Sequence, residues 1–159
     1  MLVQWWPEAK HWEDAAWAQD YGYVTLGYIS PKRGFVFHSA EGSAEGIINV
    51  LLKPGPPSFQ LAILKDGECR QFYPFDANCW HAGDTDADDG VRANIDLVGV
   101  EFEGVAGEPL TEAQIAAAVA LYRWAQEEHG FGPPELRKTL WEHNWVSATP
   151  TACPSGRIP

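Results

Sequence analysis

The stretch LVGVEFEGVAGEPLTEAQIAAAVALYRWAQEEHG, residues 97–130, joins a short apolar run to a long helical pattern. Leu97–Phe102 is apolar enough to predict a strand that is buried on both faces. Thr111 is typical of a helix N-cap, Gln114 completes a capping box, and Gly130 ends the helix. We expect the sheet-facing stripe of this helix to consist of Ile115, Ala118, Val119, Tyr122 and Ala125. A buried strand followed by such a helix predicts a domain in which helices pack on a sheet.

Turn residues and periodicity predict the elements on either side of this unit. Asp66 and Gly67 are typical of a tight hairpin between two apolar runs. The upstream elements are predicted to be a short helix within Trp5–Asp20, strands at Tyr23–Ile29 and Phe35–His38, a helix from Ser43 to about Leu52, and a hairpin of Phe59–Leu64 with Glu68–Tyr73. Together they predict an α/β (α+β) domain with one mixed central β-sheet flanked by helices.

Composition excludes several classes of partner. The 159 residues predict a single domain, 1–159. The 22 acidic residues outnumber the 11 Lys and Arg residues, and the net charge is −11. This charge argues against binding to nucleic acid or to anionic membranes, because both need basic side chains. Eight tryptophans favour an apolar cleft as well as a core. We expect a monomer.

The cysteines and the two ends of the chain bear on the cellular compartment and on the length of the natural protein. Three widely spaced cysteines do not make a disulfide framework and indicate a reducing compartment. The first residues, MLVQWWP, lack the basic and apolar regions of a signal peptide. No apolar run approaches the ~18 residues that a membrane span needs, so we expect a soluble protein. Because no closing element precedes Pro159, we also expect the chain to be part of a longer natural protein.

Three side chains are candidate metal ligands. His38 lies at the end of a predicted strand, His143 lies in a loop, and Cys153 follows ten residues later. Zinc binds imidazole and thiolate, and a catalytic zinc site keeps its fourth position open. The spacing alone leaves two alternatives open: structural histidines and a buried free thiol.

Four short motifs occur along the chain in the order FVFHSAEG at 35–42, WHAG at 80–83, VGVEFEG at 98–104, and His143 followed by TACP at 151–154. With the Asp66-Gly67 hairpin, they resemble the type-2 N-acetylmuramoyl-L-alanine amidases. That family includes phage endolysins, bacterial anhydromuropeptide amidases and animal peptidoglycan recognition proteins. The resemblance runs from about Phe35 to Pro154 and implies the mixed-sheet fold of that family.

The resemblance also implies a reaction and a metal. It implies that the protein hydrolyses the amide bond between N-acetylmuramic acid and L-alanine in peptidoglycan. It implies that His38, His143 and Cys153 bind Zn²⁺. Trp80 and His81 match residues that family members place beside the substrate, although a structural histidine is the alternative for His81.

Glu101 matches the acidic residue that some branches of the family use as general base. A carboxylate at the end of a buried strand would have its pKa raised by desolvation, which suits proton transfer. Glu103 would point to the same side of an ideal strand, so this assignment rests on the resemblance. The alternative is that both are solvated carboxylates at the sheet edge.

The sequence departs from the family pattern at two positions. Phe59 stands where many members have tyrosine, and Thr151 stands where many have lysine. A phenyl ring cannot exchange a proton, and a threonine hydroxyl offers an oxyanion only a neutral hydrogen bond. We assign Thr151 to the catalytic group together with Glu101.

Among the branches, we expect a phage endolysin that stays in the host cytoplasm until lysis and then acts on the cell wall. Anionic wall polymers would repel a domain of charge −11, so we predict a wall-binding module after Pro159. The alternatives are a cytoplasmic amidase that recycles muropeptides, a non-catalytic peptidoglycan-binding module, and a cysteine peptidase that uses Cys153 with His143.

Overall fold

The protein was analysed as a computed structural model that describes residues 3–11, 25–53, 57–85 and 90–158. Its elements are, in chain order, β1 (Lys10–His11), β2 (Thr25–Ile29), β3 (Phe35–Ser39), α1 (Ala44–Leu51), β4 (Leu61–Ile63), β5 (Cys69–Gln71), β6 (Ala77–Asn78), α2 (Ala93–Asp96), β7 (Val98–Phe102), α3 (Glu112–His129), β8 (Leu140–Glu142) and α4 (His143–Val146). Within the described residues, no helix has the length and apolar character that crossing a membrane requires.

The main sheet has six strands in the order β1-β5-β4-β7-β3-β8. Strands β4, β7, β3 and β8 run parallel to one another, whereas β5 is antiparallel to β4. Strands β2 and β6 form a separate antiparallel pair. The predicted mixed central sheet with flanking helices is therefore confirmed.

Strand β7 lies between β4 and β3 and is covered on both faces, as predicted. Its apolar side chains on one face pack against α3 together with those of β3 and β4. On the opposite face, α1 covers a cluster around Phe59 and Phe72, and a third cluster joins Val36, Leu97 and Trp141. Burial on both faces is what an apolar, parallel central strand requires.

The predicted ends of helix α3 are confirmed, but the predicted stripe is partly wrong. The Thr111 hydroxyl accepts from the Gln114 backbone N–H, and Gly130 ends the helix with φ 70°. Ile115 and Val119, however, are 40% and 45% exposed. Their place against the sheet is taken by Gln114, whose Nε2 donates to the carbonyls of Ile63 and Glu103 at 3.2 and 2.9 Å, with Leu121, Tyr122 and Ala125 buried beyond it.

Other local predictions have mixed outcomes. The Ser43 cap and the hairpin around Asp66-Gly67 are confirmed. Of the helix predicted within Trp5–Asp20, the described part instead forms a turn followed by β1, because Lys10 and His11 pair with strand β5. Residues 12–20 lie outside the described residues, as do the first two residues of the predicted strand Tyr23–Ile29. The three cysteines are free thiols, and two of them, Cys69 and Cys79, are buried.

We predict that Gln114→Leu lowers the free energy of unfolding by about 1–3 kcal/mol, because it removes the side-chain half of the capping box and two hydrogen bonds to the carbonyls of Ile63 and Glu103. Chemical denaturation monitored by circular dichroism measures this. The matched control is Gln126→Leu, on the same helix but with one hydrogen bond to Gly132; its loss should stay below about 1 kcal/mol. Equal losses in the two variants would contradict a special role for Gln114.

Candidate metal centre and active site

The site forms where three parallel strands end. His38, near the end of β3, is the register partner of Glu101, near the end of β7. Strand β8 pairs with the other edge of β3, and His143 follows it directly as the first residue of α4. Because the carboxyl ends of parallel strands meet at one edge of a sheet, the fold brings these three side chains together.

Cys153 reaches the same place from the C-terminal segment. Its carbonyl accepts from the Asn144 backbone N–H at 2.9 Å, which ties the segment to α4. Its Sγ accepts from the Ser39 backbone N–H at 3.2 Å. The Thr151 hydroxyl accepts from the Cys153 backbone N–H at 3.2 Å. The sulfur is thus fixed from both sides, by the end of β3 and by its own turn.

The ligand atoms of His38, His143 and Cys153 all lie within 4.8 Å of one another. His38 Nδ1 is 3.8 Å from Cys153 Sγ, and the two histidine rings are 4.6 Å apart between centroids. His38 is buried, whereas His143 and Cys153 are half-buried. Two imidazoles and a thiol are a donor set that suits a transition-metal ion. The structure therefore brings all three predicted ligands into one group that can hold a metal.

The hydrogen bonds around the imidazoles leave one ring nitrogen of each free to bind a metal. His143 Nε2 lies 3.3 Å from the Ala82 carbonyl oxygen. A carbonyl only accepts, so Nε2 carries the hydrogen and Nδ1 keeps its lone pair. His38 Nε2 lies 3.1 Å from His81 Nδ1, so its Nδ1 is the atom that faces Cys153.

Burial keeps the three candidate ligands neutral in the metal-free protein. Desolvation, followed by the neighbouring His81 and His143, holds the pKa of His38 well below its usual value. Desolvation also lowers the pKa of His143. Burial, with the nearby carboxylates of Glu101 and Glu41, raises the pKa of Cys153 to about 12. The imidazoles are therefore ready to coordinate, while the thiol keeps its proton until a cation approaches.

Glu101 lies beside the metal-ligand group. Its Oε1 is 3.9 Å from His38 Nδ1, and its enclosed Oε2 has no hydrogen-bond partner among the described residues. The side chain is 13% exposed. Burial, with a contribution from Glu41, raises the pKa of Glu101 to about 8. A carboxyl group in these surroundings can exchange a proton near neutral pH.

Glu103, in contrast, has a structural position. Strand β7 ends at Phe102, and the Glu103 carboxylate accepts from the backbone N–H groups of Ala44 and Lys65 at 2.9 and 2.8 Å. It thereby caps the start of α1. Of the two carboxylates that sequence alone could not separate, the structure places Glu101 at the ligand group.

The two predicted substrate-binding residues, Trp80 and His81, differ in their exposure to solvent. Trp80 is 37% exposed and lines a cavity of about 650 Å³ together with Asn78, Asp84 and Arg92. His81 is buried, and desolvation, with the charge of Lys32, lowers its pKa to about 3. It is therefore a neutral imidazole.

The two positions that depart from the family pattern differ in their contacts. Phe59 packs inside the apolar cluster of α1, with its ring centroid 5.8 Å from that of Phe72. Thr151 is half-buried next to the ligand group, and its oxygen accepts from the Cys153 backbone. Phe59 therefore offers the site no polar group, whereas Thr151 does.

Sequence reasoning missed Arg157. This side chain is 3% exposed and donates to the Ser39 hydroxyl and to the carbonyls of Phe102, Glu103 and Glu108 at 2.8–3.0 Å. It anchors the segment that carries Cys153 against the ends of β3 and β7. An arginine four residues after a ligand has no recognisable spacing signal, so this role could not be predicted from the sequence.

Comparison with known proteins identifies the family of the chain. The model of the family "N-acetylmuramoyl-L-alanine amidase" matches residues 25–156. The 1,6-anhydro-N-acetylmuramyl-L-alanine amidase AmpD of Enterobacter cloacae is 41% identical over 59 residues, which are 37% of this chain and 32% of that protein. The corresponding enzyme of Escherichia coli (strain K12) is 38% identical over 81 residues, which are 51% of this chain and 42% of that protein. The chain thus spans less than half the length of the curated relatives it matches.

Solved structures share the fold. A selenomethionine derivative of AmpD matches with a TM-score of 0.69 and 18% identity over 100% of this chain and 94% of that one. The endolysin N-acetylmuramoyl-L-alanine amidase LysCS from Clostridium intestinale URNW matches with a TM-score of 0.65 and 20% identity over 98% and 92% of the two chains. Because the family match covers most of the chain, from β2 to the segment after Cys153, the protein belongs to the N-acetylmuramoyl-L-alanine amidase family.

Proposed function

We propose that this protein is a zinc-dependent amidase that hydrolyses the bond between N-acetylmuramic acid and L-alanine in peptidoglycan. The observation that carries the proposal is the group of His38, His143 and Cys153 at the carboxyl edge of the sheet, with Glu101 beside it. Family membership supports the reaction.

The donor set fits zinc. His38 and His143 offer Nδ1 lone pairs, and Cys153 becomes a thiolate as it releases its proton to solvent. Three protein ligands leave a fourth position for a reactant, as in catalytic zinc sites. When bound, zinc supplies a Lewis acid for the scissile carbonyl and lowers the pKa of water.

Glu101 serves as general base and then as general acid. It accepts a proton from the water that attacks the amide carbonyl carbon. It then donates that proton to the nitrogen of L-alanine as the carbon–nitrogen bond breaks, which returns the carboxylate to its starting state. The partnerless Oε2 supports this role, because no described residue competes for the proton.

Thr151 and Trp80 complete the proposed substrate site. The Thr151 oxygen is fixed by the Cys153 backbone N–H, and its hydroxyl hydrogen can still be donated to an oxyanion. This neutral donor takes the place of the lysine found in many family members. The half-exposed Trp80 ring, on the wall of the 650 Å³ cavity, offers an apolar face to the sugar or peptide.

Two settings for the reaction follow from the relatives. The endolysin structure supports phage-driven lysis of a host wall, in line with the sequence-based expectation. The curated relatives are enzymes for 1,6-anhydro-N-acetylmuramyl-L-alanine, and a charge of −11 also favours a soluble muropeptide over an anionic wall. Recycling of soluble muropeptides is therefore the second candidate.

The two non-zinc alternatives have less support. A cysteine nucleophile needs a lowered pKa, whereas burial raises the pKa of Cys153 to about 12. A non-catalytic binding module would explain why Phe59 replaces the tyrosine of many family members. Such a module needs neither the three metal ligands nor the partnerless carboxylate of Glu101.

The first test is a digest of purified peptidoglycan and of soluble 1,6-anhydromuropeptide, each with untreated, chelated and zinc-restored protein. Mass spectrometry should detect free stem peptides that begin with L-alanine, lost on chelation and regained with zinc. A strong preference for the soluble substrate would indicate the recycling setting. Stoichiometric zinc without cleavage of either substrate would contradict the proposed activity and favour the binding module.

We predict that Glu101→Gln lowers kcat by about 10²–10⁴-fold, because the amide cannot accept the proton of the attacking water. Zinc content, measured by metal analysis, should stay at one ion per chain because Glu101 is not a ligand. The matched control is Glu103→Gln, which keeps one acceptor oxygen, for either Ala44 or Lys65, and loses the other hydrogen bond. Because Glu103 bonds to these two backbone groups and not to the metal-ligand group, this variant should retain the parent kcat. Unchanged turnover in Glu101→Gln would show that another group is the base.

The raised pKa of Glu101 also predicts how stability changes with pH. In the metal-free protein the folded state holds this proton up to about pH 8, whereas the unfolded chain releases it near the ordinary value of 4.5. The folded state binds more protons in this window, so Glu101 lowers stability as the pH rises through it. Glu101→Gln should therefore raise Tm relative to the parent at about pH 8 and much less at about pH 4.5. Thermal unfolding of metal-free samples measures this, and a difference independent of pH would contradict the assignment.

A further inference from the structure

His81 is enclosed next to a metal ligand. The residue is 4% exposed, and its Nδ1 lies 3.1 Å from His38 Nε2. The two rings meet edge to face, with centroids 5.2 Å apart. The family resemblance implies that His81 lies beside the substrate, with a structural histidine as the alternative, and the ring is directed at the outer nitrogen of His38.

The direction of the hydrogen bond follows from the atoms on the other side of His38. Its Nδ1 faces Cys153 Sγ at 3.8 Å, so Nδ1 must offer a lone pair for the group to hold a metal. The hydrogen of the neutral ring then lies on Nε2, and His81 Nδ1 accepts it. The hydrogen of His81 is left on its own Nε2, which has no regular hydrogen-bond partner among the described residues.

Ala82, the next residue, contacts the outer nitrogen of the second imidazole ligand, His143. The Ala82 carbonyl accepts from His143 Nε2 at 3.3 Å. Asn94 in α2 holds this short segment in place, because its Oδ1 accepts from the Ala82 backbone N–H at 2.8 Å and its Nδ2 donates to the Gly83 carbonyl at 2.7 Å. One segment therefore contacts the outer nitrogens of both histidine ligands.

Strand β7 has a glycine, Gly99, at the point where the His81 ring packs against it. A Cβ at Gly99 would lie 2.5 Å from His81 Cγ, so any larger residue there would displace the ring. The Gly99 backbone N–H donates to Gln60 Oε1 at 2.8 Å, and Gln60 is itself fully buried. The position of the ring is thus fixed by the backbone of a central strand.

We propose that His81 is a positioning residue that holds His38 in the tautomer and orientation needed for zinc, and that the segment 81–83 supports both imidazole ligands. The proposal rests on the proposed zinc function. Outer partners of metal-bound histidines set ring orientation, and their loss typically lowers metal affinity by about 10–100-fold.

Two substitutions at this position separate positioning from other roles. His81→Asn keeps an acceptor oxygen close to the place of Nδ1, whereas His81→Leu fills similar space without an acceptor. Zinc dissociation constants are measured by competition with a chromophoric chelator, and the visible spectrum of the Co²⁺ form reports the coordination. Thermal unfolding of each metal-free variant checks the fold, and His11→Leu, at a histidine distant from the site in the chain, is the control.

We expect His81→Leu to bind zinc about 10–100-fold more weakly and to change the Co²⁺ spectrum, while His81→Asn restores most of the affinity. His11→Leu should match the parent. If His81→Leu binds zinc like the parent and only the KM for muropeptide rises, His81 contacts substrate and the proposal is overturned. If His81→Asn is as weak as His81→Leu although both fold, the acceptor atom has no role and the proposal is equally overturned. A parent that binds zinc but cleaves no muropeptide would refute the proposed activity while leaving the positioning role measurable.

Discussion

The parallel pairing of β3 with β7 and β8 determines where the side chains of the site lie. It places His38 opposite Glu101 and brings His143 to the end of the neighbouring strand. Because side chains alternate along a strand, a slip of one residue would move either partner to the opposite face of the sheet. The apolar face under α3 prevents that slip, since it would bring polar residues into the core. The geometry of the site is therefore set by the same burial that stabilises the fold.

The site brings together four groups that are uncharged without a metal, and two of them, Cys153 and Glu101, can lose a proton when a metal binds. Burial keeps His38 and His143 neutral and raises the pKa of both Cys153 and Glu101. A nearby cation favours the thiolate and the carboxylate, so metal binding and proton release are coupled. The low-dielectric surroundings that disfavour isolated charges also strengthen the attraction between a cation and these ligands. The outer contacts of His81 and Ala82 fit this scheme, because they direct the remaining ring hydrogens away from the metal side.

Local signals were predictable from sequence because neighbouring residues determine them. The Thr111 cap and the Asp66-Gly67 turn are of this kind. The stripe of α3 was partly wrong because a buried glutamine, Gln114, bonds to the backbone of the sheet, which periodicity cannot reveal. The ligand group was predictable only through motifs, since its members are far apart in the chain. The choice between Glu101 and Glu103 depends on where strand β7 ends. The Ala82 carbonyl has no side-chain signature at all.

The proposed metal centre consists of one zinc ion held by His38, His143 and Cys153, with the sulfur as a thiolate. X-ray absorption at the zinc edge of the loaded protein measures this ligand set. We expect one sulfur at about 2.3 Å and two imidazole nitrogens at about 2.0–2.1 Å, with one further light atom. The outer-shell scattering of the imidazole rings should identify the nitrogens. A first coordination shell of light atoms without sulfur, or with a second sulfur, would rule out this ligand set.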